Sequence, residues 1–273
     1  GEECGKTCGY KIHLENKTSV NTKIEVTTEA VLSRILQNDP SLSEYSVILI
    51  DEFHERSLQA DLNLAFLREA MELREDLFVI IMSATIETKK LTDYLSRTGN
   101  NDNPENHSVP VMEIPGRTFP VSVEYKPSVS VTQAVLEELL NNERTTYQKN
   151  SKVILVFLPG IKEIRKTENE LLTYSLKNTE VCLLHSSVSL SEQKKIFSPI
   201  PKNTNRIIIS SAIAETSLTV PGVTTVIDSG LSRINRLNIY LGMETLFTEN
   251  ESEFSAEQRK GRAGRTQEGR CIR

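Results

Sequence analysis

The residues best suited to chemistry stand at the end of an apolar run. In "SVILIDEFHERS" (46–57), Asp51 and Glu52 follow "VILI" directly. Such a run reads as a buried strand, and in open α/β sheets ligands gather at the carboxyl ends of strands. An aspartate placed there can hold Mg²⁺ through water. The adjoining carboxylate can orient and deprotonate an attacking water. His54 is near enough to bond to the same region. The same letters also suit a solvated turn that opens a helix, where acids are favoured in the first turn.

A second constellation lies near the other end of the sequence. In "QRKGRAGR" (258–265), the spacing of Arg262 and Arg265 would place both on one face of a helix. Their planar guanidinium forks match phosphate oxygens and the charge that develops on them during transfer. Gly261 and Gly264 would leave room for close approach. The bland alternative is a basic patch for polyanions in general.

The opening "GEECGKTC" (1–8) imitates a phosphate loop without meeting its requirement. Successive backbone N–H groups can curl round phosphates when four residues separate the glycines of G-x-x-x-x-G-K-[ST]. Only Glu2, Glu3 and Cys4 separate Gly1 from Gly5, and two of them are acids. The following "CGYKIHLEN" reads as a strand, whereas a phosphate loop leads into a helix. A polar surface turn is expected.

Several elements must position these groups. Apolar runs at 46–52, 77–85, 152–160, 180–186, 206–212 and 223–230 read as strands. They alternate with helical periodicity at 56–75, 87–96, 131–142, 161–178 and 191–197. In the first of these helices, Leu58, Leu62, Ala65, Phe66, Ala70 and Leu73 fall roughly on one face. "VMEIPGRTFPVSVEYKP" (111–127) reads as strand, turn, strand, after a polar loop at 97–110. This alternation predicts parallel sheet covered on both faces, in two α/β units that meet near Arg117.

Composition narrows the class. The 273 residues carry a net charge of −5, so any nucleic-acid surface must be local. The four cysteines lack a repeated CxxC pattern and suit free thiols in a reducing cytosol. No apolar run approaches membrane-spanning length and no signal peptide is visible. The sequence starts without methionine and ends abruptly at "GRCIR", as a segment of a longer protein would.

Taken in order, the motifs resemble those of the DEAH-box (DExH) superfamily 2 helicases, most closely the bacterial HrpB type. Thr28-Glu29-Ala30-Val31-Leu32 is similar to an early nucleic-acid contact motif, and Asp51-Glu52-Phe53-His54 to motif II. Ser83-Ala84-Thr85 is similar to motif III and "LVFLPGIKEI" (155–164) to motif IV. "SSAIAETSLTVPGV" (210–223) is similar to motif V and "QRKGRAGR" to motif VI. The resemblance covers essentially the whole chain.

That resemblance implies two RecA-like domains, residues 1–117 and 118–273, the first truncated at its N-terminus after the phosphate loop. It implies ATP and Mg²⁺ as cofactors, with Asp51 on Mg²⁺ through water and Glu52 as base. His54 would link nucleotide state to the second domain through Gln258. Arg262 and Arg265 would be arginine fingers, with Glu215 and Thr219 near the nucleotide. Ser83 and Thr85 would couple hydrolysis to domain movement. Thr28, Pro159, Gly160 and Ser217 would meet the nucleic acid. The expected function is ATP-driven movement along single-stranded RNA or DNA by a cytoplasmic monomer; without a phosphate loop, the alternative is an inactive nucleic-acid-binding fragment. Three departures stand out: Phe53 for the usual Ala, Ala30 for a glycine that would restrict the backbone if φ must be positive, and Ala212 for an Asn.

Overall fold

The computed structural model describes residues 1–84, 88–96, 109–114, 116, 119–144, 151–215 and 218–273. The chain divides into two compact units, Gly1–Ile114 and Pro115–Arg273. In the first, β1 (Cys8–Ile12) pairs antiparallel with β2 (Glu15–Lys17) and parallel with β3 (Ile24–Thr27). After α1 (Glu29–Asn38), β4 (Val47–Ile50) leads through a 3₁₀ turn, Phe53–Glu55, into α2 (Leu58–Leu73). Next come β5 (Phe78–Ile81), parallel to β4, and α3 (Thr88–Ser96). Leu36, Leu42, Ile48, Ile50, Phe53, Leu64 and Leu67 form the core of this unit.

The second unit opens with β6 (Val121–Glu124), α4 (Val131–Arg144) and β7 (Val153–Phe157). It continues with α5 (Ile161–Leu172), β8 (Thr179–Leu184), α6 (Leu190–Ile196), β9 (Asn205–Ser210) and β10 (Thr225–Asp228). The hairpin β11 (Leu231–Asn238) and β12 (Met243–Asn250), helix α7 (Glu253–Gly261) and β13 (Gly269–Ile272) complete it. Six strands form one sheet in the order β6-β13-β10-β7-β9-β8. Every pairing in it is parallel. β7 is buried along its whole length and packs into apolar layers on both faces, as parallel sheet requires. In this unit the doubly wound parallel α/β architecture expected is present.

The chain runs from β7 out to β8 and back to β9, then crosses to β10 on the other side of β7. The order therefore reverses between β7 and β10, which is where ligand crevices form in such sheets.

Three local expectations need correction. Residues 111–114 form no strand; only β6 forms in that stretch. The α2 face in the core is Ala60, Asn63, Leu64, Leu67 and Ala70, whereas Leu58 and Leu73 are exposed. Apolar residues nearly encircle this helix, so periodicity alone does not choose the face. The third concerns "GRAGR": α7 ends at Gly261, Arg262 is its C-cap, and the following residues turn away. Arg262 is buried and Arg265 exposed, so they do not share a helical face. A Cβ on Gly264 would lie 2.6 Å from the Phe119 carbonyl oxygen and 2.7 Å from Val121 Cγ2. The close approach that glycine permits there is to the protein's own backbone, and a Cβ on Gly261 would meet nothing within 4 Å.

Candidate active-site elements

The acidic loop is built on the paired ends of β4 and β5. Met82 N donates to Ile50 O at 2.8 Å, and Phe53 N to Met82 O at 3.1 Å, so the ladder carries the chain into the turn. Phe53, 2 % exposed, is the anchor in the core, which accounts for an aromatic at that position. Asp51 and Glu52 are both exposed, and Glu52 N donates to Asp51 Oδ1 at 2.8 Å. Glu52 adopts φ 52 and ψ 33, a left-handed conformation that costs a non-glycine residue free energy. The acids are thus presented by a constrained turn, as a strand end with a site would demand.

His54 braces Glu52. Ala84 N donates to His54 Nδ1 at 3.3 Å. A nitrogen that accepts carries no proton, so the neutral ring is protonated on Nε2. Nε2 lies 3.3 Å from Glu52 Oε2 and donates to it. The His54 side chain is 2 % exposed against 50 % for Glu52, so a buried ring holds a wet carboxylate. This chain joins the acids to the Ser83-Ala84 segment after β5. Ser83 is half-buried there, and Thr85 falls outside the described residues.

Asp51 fits a metal held mainly by water and phosphate, because Mg²⁺ commonly keeps several waters and takes only one or two protein carboxylates. Among the described residues, no group of three or more His, Cys, Asp or Glu could hold a metal by itself.

In the second unit the predicted arginines meet the segment after β9. Arg262, 5 % exposed, donates through Nη1 to Leu218 O at 3.1 Å. Arg265 is exposed and donates to Thr219 Oγ1 at 2.7 Å. Glu215 is engaged differently: its carboxylate accepts from Arg259 Nε at 3.0 Å. Gln258 is half-buried on α7.

Arg259, which sequence reasoning passed over, organises this region. It is 1 % exposed. Nη1 lies 2.9 Å from Asp228 Oδ1 and 2.5 Å from Glu251 Oε2, and Nη2 donates to Ser232 Oγ at 2.7 Å. The guanidinium lies 5.0 Å from the Phe157 ring centroid. Burial opposes its charge, but Asp228, Glu251 and Glu215 outweigh that and hold its pKa up. Burial first, and then the Asp228 carboxyl, push Glu251 up to about 8. One side chain thus fastens α7 to the ends of β7 and β10, to the hairpin stem and to Glu215. The signal was an acid, Asp228, ending the apolar run of β10: such a carboxylate needs a buried cation.

Pro159 and Gly160 are buried at the end of β7. A Cβ on Gly160 would lie 2.5 Å from Arg233 Nη1, so the guanidinium rests directly on this turn. Thr28 is exposed as the N-cap of α1, and its side chain makes no capping bond. Ala30 lies inside α1 and is absent from the residues with positive φ, so that position does not require glycine. Ser217 falls outside the described residues.

Gly5-Lys6-Thr7 forms a turn closed on itself. Gly5 has φ +96, and its carbonyl accepts from Ser19 Oγ and Thr22 Oγ1, each at 2.7 Å. Thr7 donates through N and Oγ1 to the Glu2 carboxylate. The turn leads into β1, not into a helix.

The second unit is a doubly wound α/β domain with arginines fastened to the segment after β9. Residues 132–267 match the model of the helicase conserved C-terminal domain family. The chain is 40 % identical over 273 residues to an ATP-dependent RNA helicase HrpA homolog of Haemophilus influenzae, spanning 99 % of this chain and 20 % of that protein. It is 37 % identical over 269 residues to the ATP-dependent RNA helicase HrpB of Escherichia coli, spanning 98 % of this chain and 32 % of the other. The crystal structure of the Escherichia coli DEAH/RHA helicase HrpB superposes with a TM-score of 0.85 at 36 % identity, over 99 % of this chain and 33 % of that one. The chain belongs to the DEAH-box helicases. It spans a fifth to a third of the length of these relatives.

Proposed function

We propose that this protein is an ATP-dependent RNA helicase that couples triphosphate hydrolysis to movement along single-stranded RNA, held mainly by its sugar-phosphate backbone and so with little sequence preference. Glu52 is the base that orients and deprotonates the attacking water. His54 holds the Glu52 carboxylate, and Asp51 binds Mg²⁺ through water. When bound, Mg²⁺ would supply positive charge to offset that of the phosphate oxygens. Arg262 and Arg265 stabilise the charge that develops on phosphate oxygens during transfer, with Thr219 holding the Arg265 fork. Thr28 meets the nucleic-acid backbone, while Arg233 covers Gly160 and is the group that turn offers to a phosphate.

The observation that carries this reading is the strained, histidine-braced Glu52 at the exposed end of a parallel strand pair. The left-handed backbone and the buried ring behind the carboxylate support a held, positioned base. The test is the nucleic-acid-stimulated ATPase of the whole protein. Glu52→Gln is expected to lower kcat by about 10²–10⁴ with little change in KM. Turnover equal to wild type would remove the assignment. The same assay run with single-stranded RNA and DNA of one sequence decides which of the two is the track.

A further inference from the structure

Glu29 stands beside Thr28 at the start of α1, and α2 grips it at two points. Its carboxylate accepts from Ser57 Oγ. The same hydroxyl accepts from Ala60 N at 2.9 Å, which makes Ser57 the cap of α2. The Glu29 carbonyl accepts from Asn63 Nδ2 at 2.9 Å. Ser33 Oγ lies 3.0 Å from that carbonyl and 2.7 Å from Asn63 Oδ1, closing a ring of three residues from two helices.

Asn63 is 1 % exposed, on the core face of α2. An apolar residue there would bury without needing partners, whereas the amide must be bonded. Its presence specifies how α1 sits on α2 more than it adds stability. The grip also has a direct route to the acids. Ser57 closes the segment that begins at Glu52. Glu52 and Arg56 are both left-handed, with φ 52 and φ 50, and the buried Phe53 stands between them. A segment so constrained passes on a displacement instead of absorbing it.

We propose that Glu29, Ser57 and Asn63 are positioning residues that tie nucleic acid at Thr28 to the geometry of the acidic loop, so that an occupied strand contact speeds hydrolysis. This rests on the reading that Thr28 meets the backbone and Glu52 is the base. Because α2 holds both the carboxylate and the carbonyl of Glu29, a shift of the α1 N-terminus reaches Ser57 as a shift, not as a swivel.

The experiment measures ATP turnover by the whole protein, first without nucleic acid and then over increasing poly(U). Glu29→Ala should leave the RNA-free rate within about twofold of wild type and cut the stimulation by about fivefold or more. Glu29→Gln, whose amide oxygen still accepts from Ser57, should keep most of it. Adding Ser57→Ala to Glu29→Ala should remove no further stimulation, since the link runs through the bond between them, although losing the α2 cap should lower stability. Full stimulation of Glu29→Ala overturns the proposal, as does an equal fall in the free and RNA-bound rates, which is what a merely structural contact would give. A wild-type protein that poly(U) does not stimulate removes the underlying reading instead, and the link with it.

Discussion

Arg259 Nε and Glu215 Oε2 lie 3.0 Å apart in the second unit, and this ion pair, with side chains 1 % and 12 % exposed, joins segments 44 positions apart in sequence. Helix α7 and the segment after β9 are thereby held together. Removing one member of a buried pair leaves the other charge unpaired, at a cost of about 3–5 kcal/mol. Arg259→Ala is expected to cost at least that, because Asp228 and Glu215 both lose their cation. Urea denaturation followed by circular dichroism measures it. A loss below about 1 kcal/mol would show that the network contributes little.

His54 carries a separate expectation. It holds Glu52 without touching the reacting atoms, so His54→Ala should lower kcat by about tenfold and leave KM for ATP nearly unchanged. Steady-state ATPase assays separate the two parameters. A rise in KM at constant kcat would instead make His54 a binding residue.

Arg265 and Thr219 can be tested as a pair. Arg265→Ala should lower kcat by about 10³–10⁵ if it acts as a finger. Thr219→Val removes the oxygen that accepts from Arg265 at 2.7 Å and should cost about tenfold. In the double variant the valine should add nothing to the loss already caused at Arg265.

Glu251 makes stability depend on pH. Its folded-state pKa of about 8 lies above the ordinary carboxylate value of 4.5, with burial the main cause and Asp228 adding to it. The folded protein therefore holds a proton that the unfolded chain releases. That stabilisation is fully present below about pH 4.5 and is lost as pH rises through about 8. Glu251→Gln keeps an oxygen for Arg259 and removes the titration. It should flatten the fall in Tm between pH 5 and 8 and raise stability at pH 9 by on the order of 2–4 kcal/mol. Thermal melts across this range check it; parallel profiles for variant and wild type would refute it.

Gly264→Ala tests the packing beneath the segment that carries Arg262 and Arg265. The added methyl would stand 2.6 Å from the Phe119 carbonyl oxygen, a backbone atom that cannot swing aside. A loss of about 1–3 kcal/mol is expected, together with reduced turnover as Arg262 and Arg265 are displaced. Denaturant melts and the ATPase assay read the two effects.

Much of the architecture was readable from letters because burial leaves a local mark. β7, "VILVF", is apolar throughout since both its faces are covered, and the strands either side of it read the same way. Asp51 and Glu52 stood out as acids abutting an apolar run, but the buried strand expected there is only half buried: Val47 and Leu49 of β4 are exposed and Ile48 and Ile50 face the core. The hairpin β11–β12 was missed: its sequence is mixed and much of its apolar surface, including Leu237, Tyr240 and Leu246, is exposed. The face of α2 was misjudged because apolar residues on most sides of a helix leave the direction of the core open.

The order of motifs along the chain, the parallel-sheet class and the residue types at the strand ends were all determined by the sequence itself, since each depends on neighbours a few positions away. What the tertiary structure alone decided is which polar groups meet. Arg259 finds Asp228 and Glu251, His54 finds Ala84, and Glu29 finds Ser57 across chain separations that no local pattern records. These partnerships depend on where the packed sheets and helices place each group, and desolvation then makes an unpaired buried charge too costly to persist.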